Sequence, residues 1–132
     1  MIAVDTNILV RYITGDDEVQ SKLASTLLDQ YAGKEKSILI NNIVLCELIW
    51  VLSRGYKYSK EQITGIIKTL LTTIEFDFED HEIAFLAALE YETSKADYSD
   101  ILIGLTNHRI KNVTTYSFDQ NALKSKYFKN PE

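Results

Sequence analysis

Five carboxylates stand where the chain could put them to chemical use: Asp5, Glu47, Asp97, Asp100 and Asp119. Asp5 directly follows the branched apolar run 2–4, and Asp119 lies three residues past Tyr116, at the end of a second such run. In an open parallel sheet, ligands bind outside the carboxyl ends of the strands, which is where both acids would fall. Asp97 and Asp100 are three apart and share one helix face. Glu47 interrupts an apolar stretch, with Ile43, Val44, Trp50 and Val51 as its helical neighbours. It is expected to face the core and to need a cation there, either Arg54 two turns along or a metal. Each acid alone has a plain structural use. Asp5 and Asp119 suit helix caps, and Asp97 with Asp100 resembles a shortened capping box. Capping does not explain why acids from separate elements should gather at one sheet edge. Carboxylates gathered without bases repel one another, and hard divalent cations such as Mg²⁺ or Mn²⁺ relieve that repulsion. Such a site suits phosphodiester hydrolysis, in which bound metal activates water and stabilises the leaving oxygen.

Other catalytic arrangements have little support. Cys46 sits inside an apolar helical run, and His81 and His108 are the only histidines, too few for a cysteine or zinc hydrolase. No Walker A motif and no glycine-rich phosphate loop occurs. Tyr12, Tyr56, Tyr58 and Tyr98 are candidates for stacking on bases, with ordinary helix packing as the competing use.

The elements that must position these acids follow from hydrophobic spacing. Strands are expected at 2–4, 37–40, 74–78 and 113–116. The first helix runs from Asp5-Thr6-Asn7 through Tyr12 and stops at Gly15, and Leu23, Leu27, Leu28 and Tyr31 mark a second before Gly33. Asn41 and Asn42 cap a third helix over about 43–53, and Ser59 with Gln62 forms a capping box for a fourth, striped by Ile63, Ile66, Ile67, Leu70 and Leu71. A fifth helix starts at Asp80 and continues through Glu92, a sixth starts at Asp97 and reaches about His108, and a short one follows Asp119. Pro131 falls in an expected frayed tail. Strands alternating with helices imply right-handed crossovers and an α/β fold, a parallel sheet with helices on both faces.

The 132 residues suit a single domain over 1–132, and 45% hydrophobic with 25% charged residues excludes disordered, collagen-like and coiled-coil classes. One cysteine allows no internal disulfide, which fits a reducing cytoplasm. The start lacks a basic leader and no run reaches the ~18 apolar residues a membrane span needs. A net charge of -5 argues against general electrostatic binding of duplex DNA. Charge is uneven, however. Residues 75–100 carry nine acids against Lys95, whereas in 105–130 Arg109, Lys111, Lys124, Lys126 and Lys129 face Asp119 alone, leaving a local phosphate-binding edge open beside the reading of plain solvated surfaces.

Asp5-Thr6-Asn7 after an apolar strand, Glu47 within Val44-Leu45-Cys46-Glu47-Leu48-Ile49-Trp50, Asp97-Tyr98-Ser99-Asp100 before Ile101-Leu102-Ile103, and Tyr116-Ser117-Phe118-Asp119 together resemble the PIN-domain ribonucleases. Within them the set is most similar to the VapC toxins of type II toxin–antitoxin systems. The resemblance implies an α/β/α sandwich around a central parallel sheet and a Mg²⁺- or Mn²⁺-dependent endoribonuclease site. Asp5, Glu47, Asp100 and Asp119 match the family's acidic tetrad, and Asp97 matches an accessory acid. Asn7 and Ser117 match polar positions that hold the first and fourth acids, with serine standing where threonine is usual. The resemblance further implies an RNA substrate, a homodimer and an antitoxin whose cationic segment covers an acidic groove. A PIN nuclease outside a toxin pair and a non-catalytic interaction module remain as alternatives. The latter requires Glu47 to pair with Arg54. A haloacid-dehalogenase-like phosphatase fails because Asn7 occupies the place of its second aspartate.

Overall fold

Branched apolar residues build short strands, and polar residues that accept backbone N–H groups start the helices after them. The computed structural model describes all 132 residues. In chain order the elements are β1 (Ile2–Ala3), α1 (Thr6–Thr14), α2 (Glu18–Asp29), β2 (Ile38–Ile40), α3 (Asn42–Arg54), α4 (Lys60–Leu71), β3 (Phe76–Phe78), α5 (His81–Thr93), α6 (Tyr98–Lys111), β4 (Thr115–Tyr116), a 3-10 turn (Ala122–Lys124) and β5 (Phe128–Lys129). The chain divides into two compact units, Met1–His81 and Glu82–Glu132.

The first unit holds a three-stranded parallel sheet in the order β1-β2-β3, with Ile2 beside Ile38 and Ile38 beside Phe76. Each neighbouring pair is joined through two helices, the α/β arrangement expected from the spacing. Leu9, Ile38, Ile40, Leu45, Leu48, Leu52, Ile63 and Ile67 are almost wholly removed from water and form its core. The expected capping box is complete: Gln62 N–H donates to Ser59 Oγ at 3.1 Å and Ser59 N–H to Gln62 Oε1 at 2.9 Å. Asn41 caps α3 through Val44 N–H at 2.9 Å. α2 begins five residues before Leu23, because Asp17 caps it through Gln20 N–H at 2.9 Å. Its buried residues are Ala24 and Leu28, while Leu23 is exposed and Tyr31 lies beyond the helix end.

A polar knot fastens the loop between α1 and α2 to the loop between α3 and α4. Asp16 accepts from Arg11 Nη1 at 2.9 Å, from Thr14 Oγ1 at 2.9 Å and from the Tyr56 hydroxyl. The Tyr56 hydroxyl does most to hold the Asp16 carboxyl down at about 2, followed by Thr14 and then Arg11. A carboxylate whose folded value is depressed stabilises the fold above its ordinary range and loses that contribution as pH falls through the depressed value. Asp16→Ala is therefore expected to lower the thermal midpoint near neutral pH, with the deficit shrinking as the buffer approaches pH 2. Melts of both proteins across that range check it, and a constant deficit would reject it.

The second unit comprises most of α5, then α6, β4, the 3-10 turn and β5. β4 pairs in parallel with β5, Thr115 beside Phe128 and Tyr116 beside Lys129. β5 carries no hydrophobic run that would announce it, since it is two residues long and close to Pro131 in the segment read as a tail. Gly104 explains its packing. A Cβ there would come within 2.5 Å of the Phe128 ring, so only glycine lets that ring lie on α6. Tyr98 is buried, donates its hydroxyl to Ala84 O at 3.0 Å and meets Tyr91 edge-to-face at 5.9 Å. It is a packing residue. Arg109, expected on a basic edge, pairs with Glu82 at 3.0 Å. No helix of the chain is long and apolar enough to cross a membrane.

Candidate active site

In the first unit, parallel register puts the residues after β1 and β2 at one carboxyl edge. Asp5 leaves that edge exposed and caps α1, accepting from Ile8 N–H at a long 3.4 Å. The cap is real but weak, and most of the carboxylate's capacity stays open to solvent or a ligand. Asn7 is exposed in the first turn of the same helix.

Glu47 corrects the expectation drawn from its sequence neighbours. Five buried residues, Val44, Leu45, Leu48, Ile49 and Leu52, take the core side of α3. Glu47 lies on the opposite side with Ile43 (69% exposed) and Trp50 (62% exposed), and it faces water. The helix is apolar nearly all round, so composition could not say which arc turns inward. No ion pair joins Glu47 to Arg54. The burial argument for a compensating cation falls with this, and so does the salt bridge required by the interaction-module alternative.

Glu79 is an acid that sequence reading passed over. It follows β3 as Asp5 follows β1, and its Oε1 accepts from Asn42 N–H at 2.7 Å, tying the end of β3 to the start of α3. The strand-end rule that singled out Asp5 would have found it.

In the second unit, two of the predicted acids act on a third, Asp100. Asp97 occupies the N-cap of α6 but makes no side-chain capping bond, so the capping-box reading fails there. Asp100 is half-buried in the first turn. Burial pushes its carboxyl above the ordinary carboxylate value, and the charges of Asp119 and then Asp97 push it the same way. No cation and no hydrogen-bond donor is among the groups that act on it. Asp119 Oδ1 accepts from Asn121 N–H and Ala122 N–H, both at 2.9 Å, and so caps the 3-10 turn. Ser117 Oγ accepts from Asp119 N–H at 2.9 Å.

No three of the acidic, histidine or cysteine side chains close into a ready cage for an ion within either unit. Oxygen donors that repel one another without a base nevertheless match what Mg²⁺ and Mn²⁺ use, namely one or two carboxylates with water filling the remaining positions. The residues therefore fit a hydrated divalent cation better than a thiolate- or imidazole-seeking metal.

Comparison with known proteins bears on the same residues. The chain is 25% identical over 79 residues to a VapC ribonuclease of Aquifex aeolicus (strain VF5), a match that covers 60% of this chain and 58% of that relative's length. The family model described as the PIN domain matches residues 2–125, a span that takes in every acid from Asp5 to Asp119. With nearly its whole length matched, the chain belongs to the PIN domain family.

Proposed function

We propose that this chain is a divalent-metal-dependent endoribonuclease of the VapC type, the toxin of a type II toxin–antitoxin pair, acting in the cytoplasm as one domain over residues 1–132. The observation that carries this reading is the half-buried Asp100, pressed by Asp97 and Asp119 with no compensating base, in a member of the PIN domain family. The name of the Aquifex relative, a VapC ribonuclease, supports the substrate class. Asp5, Glu47, Asp100 and Asp119 serve as the catalytic acids. Asp5 and Asp100 are the principal ligands of Mg²⁺ or Mn²⁺, directly or through water. Glu47 orients the attacking water or a second ion, Asp119 completes the site, and Asp97 is accessory. Asn7 and Ser117 hold the first and fourth acids in place. When bound, the ion supplies charge stabilisation at the phosphate and a water acidic enough to attack near neutral pH. The partners are RNA, an antitoxin whose cationic segment suits the exposed carboxylates and a net charge of -5, and a second copy of the chain.

The reading in which the acids only cap helices draws on Asp5 and Asp119, which do accept backbone N–H groups. It fails at Asp97, which makes no such bond. The test is digestion of total RNA by protein freed of bound antitoxin under denaturing conditions and refolded, with Mn²⁺ or Mg²⁺ and with chelator. Cleavage that needs the ion is expected. Cleavage indifferent to chelator, or a folded protein inert with both ions, would overturn the proposal.

A further inference from the structure

We propose that a cavity in the second unit is a nucleotide subsite that selects guanine through Glu90, an inference that rests on the ribonuclease reading and names what that site prefers in its RNA. The cavity has a volume of about 400 Å³, within the range of small-ligand pockets. Glu90, Lys95, Ile101, Ala122, Lys124 and Phe128 are among the residues that line it. It adjoins the acids of the same unit along the chain. Ile101 follows Asp100, Ala96 on its wall precedes Asp97, and Ala122 donates its N–H to Asp119 at 2.9 Å. The three acids do not line the cavity themselves, but their chain neighbours and hydrogen-bond partner do, which places the subsite within the same cluster of elements.

The lining is divided as a nucleotide requires. The half-buried Phe128 ring, backed by the buried Ile101 and Ala122, is the apolar surface open to a base, and base–aromatic stacking is a common source of affinity for unpaired nucleotides. Lys95 and Lys124 bring positive charge for phosphate. Glu90 supplies the discrimination. Its carboxyl is half-buried, and what acts on it is burial, raising its pKa, and the more distant charge of Lys126, lowering it. No hydrogen-bond donor is among those influences, so the carboxylate keeps acceptor capacity for a ligand. Guanine alone among the RNA bases presents two adjacent donors on its Watson–Crick edge, N1–H and the 2-amino group, which a carboxylate accepts together. Adenine and cytosine place an acceptor beside their amino group, and uracil flanks its one N–H with carbonyls, so each sets an oxygen or nitrogen lone pair against the carboxylate.

The test is titration of the metal-free protein with GMP, AMP, CMP and UMP, followed by amide chemical shifts, a readout independent of cleavage. GMP is expected to shift Glu90, Lys124 and Phe128 and to bind about tenfold or more tighter than UMP, the scale of one bidentate base contact. Glu90→Gln, near-isosteric and safe for the fold, should abolish that preference while leaving weak binding of all four. Lys124→Ala should weaken all four alike and keep the order. Equal binding of the four nucleotides by the unaltered protein, or a guanine preference that survives Glu90→Gln, would overturn the assignment of Glu90. Absence of shifts around the cavity with every nucleotide would overturn the subsite itself. Guanine-selective binding by a protein that cuts no RNA would instead strike the nuclease reading and leave the subsite standing.

Discussion

Asp100→Asn is expected to reduce metal-dependent RNA cleavage by about a hundredfold or more and, in the absence of divalent ions, to raise the thermal midpoint. Loss of activity follows from removing a ligand proposed for the ion, since even the partners that orient metal ligands are worth about 10- to 100-fold. The gain in stability follows from the environment of the side chain. Burial, Asp119 and Asp97 all raise the folded pKa of Asp100. A carboxyl with a raised folded value is well tolerated when protonated and costs stability once pH rises through that value. Asparagine is neutral at every pH. The variant should therefore melt higher than the unaltered protein near neutral pH, and the gap should close in acid, below the ordinary carboxylate value. Added Mn²⁺ should raise the midpoint of the unaltered protein by mass action and leave the variant nearly unmoved. Melts at several pH values with and without Mn²⁺, beside the cleavage assay, check both halves. A variant that melts lower than its parent in chelator would show that Asp100 is a stabilising partner, and the site would have to be reassigned.

Leu48→Ala and Glu47→Gln, neighbours in sequence, are expected to fail in opposite ways. Leu48 is wholly buried and lies on the core side of α3. Truncating it removes packed apolar surface and leaves a cavity, at a cost of about 2–5 kcal/mol. Such a loss is a large part of the stability of a domain this size, about 5–15 kcal/mol. Glu47 is exposed and unpaired, so the amide should change stability by no more than about 0.5 kcal/mol while lowering cleavage. Urea unfolding measured beside activity separates the two. A marked loss of stability in Glu47→Gln would mean that the carboxylate has a structural partner after all. Unchanged cleavage in the same variant would remove it from the catalytic set.

Much of this molecule was legible because its signals are local. The Ser59–Gln62 capping box, the Asn41 cap and the alternation of strand and helix are written in residues a few positions apart. The acids after strand ends could be picked out for the same reason, because a strand end and the cap that follows it are adjacent in the chain. Three other features depended on tertiary structure. α3 is apolar on nearly every side, so the choice of Leu48 for the core and Glu47 for solvent was made by what packs against the helix. β5 is too short to carry a pattern and exists because β4 supplies its hydrogen bonds and Gly104 leaves room for Phe128. Tyr98 was as good a base-stacking candidate as any tyrosine until its hydroxyl was found on Ala84. Capping, turn chemistry and helical period are encoded by near neighbours and can be read along the chain. The inward face of an apolar helix and the charge that Asp119 adds to that of Asp97 at Asp100 depend on residues distant in sequence, so they are set by packing.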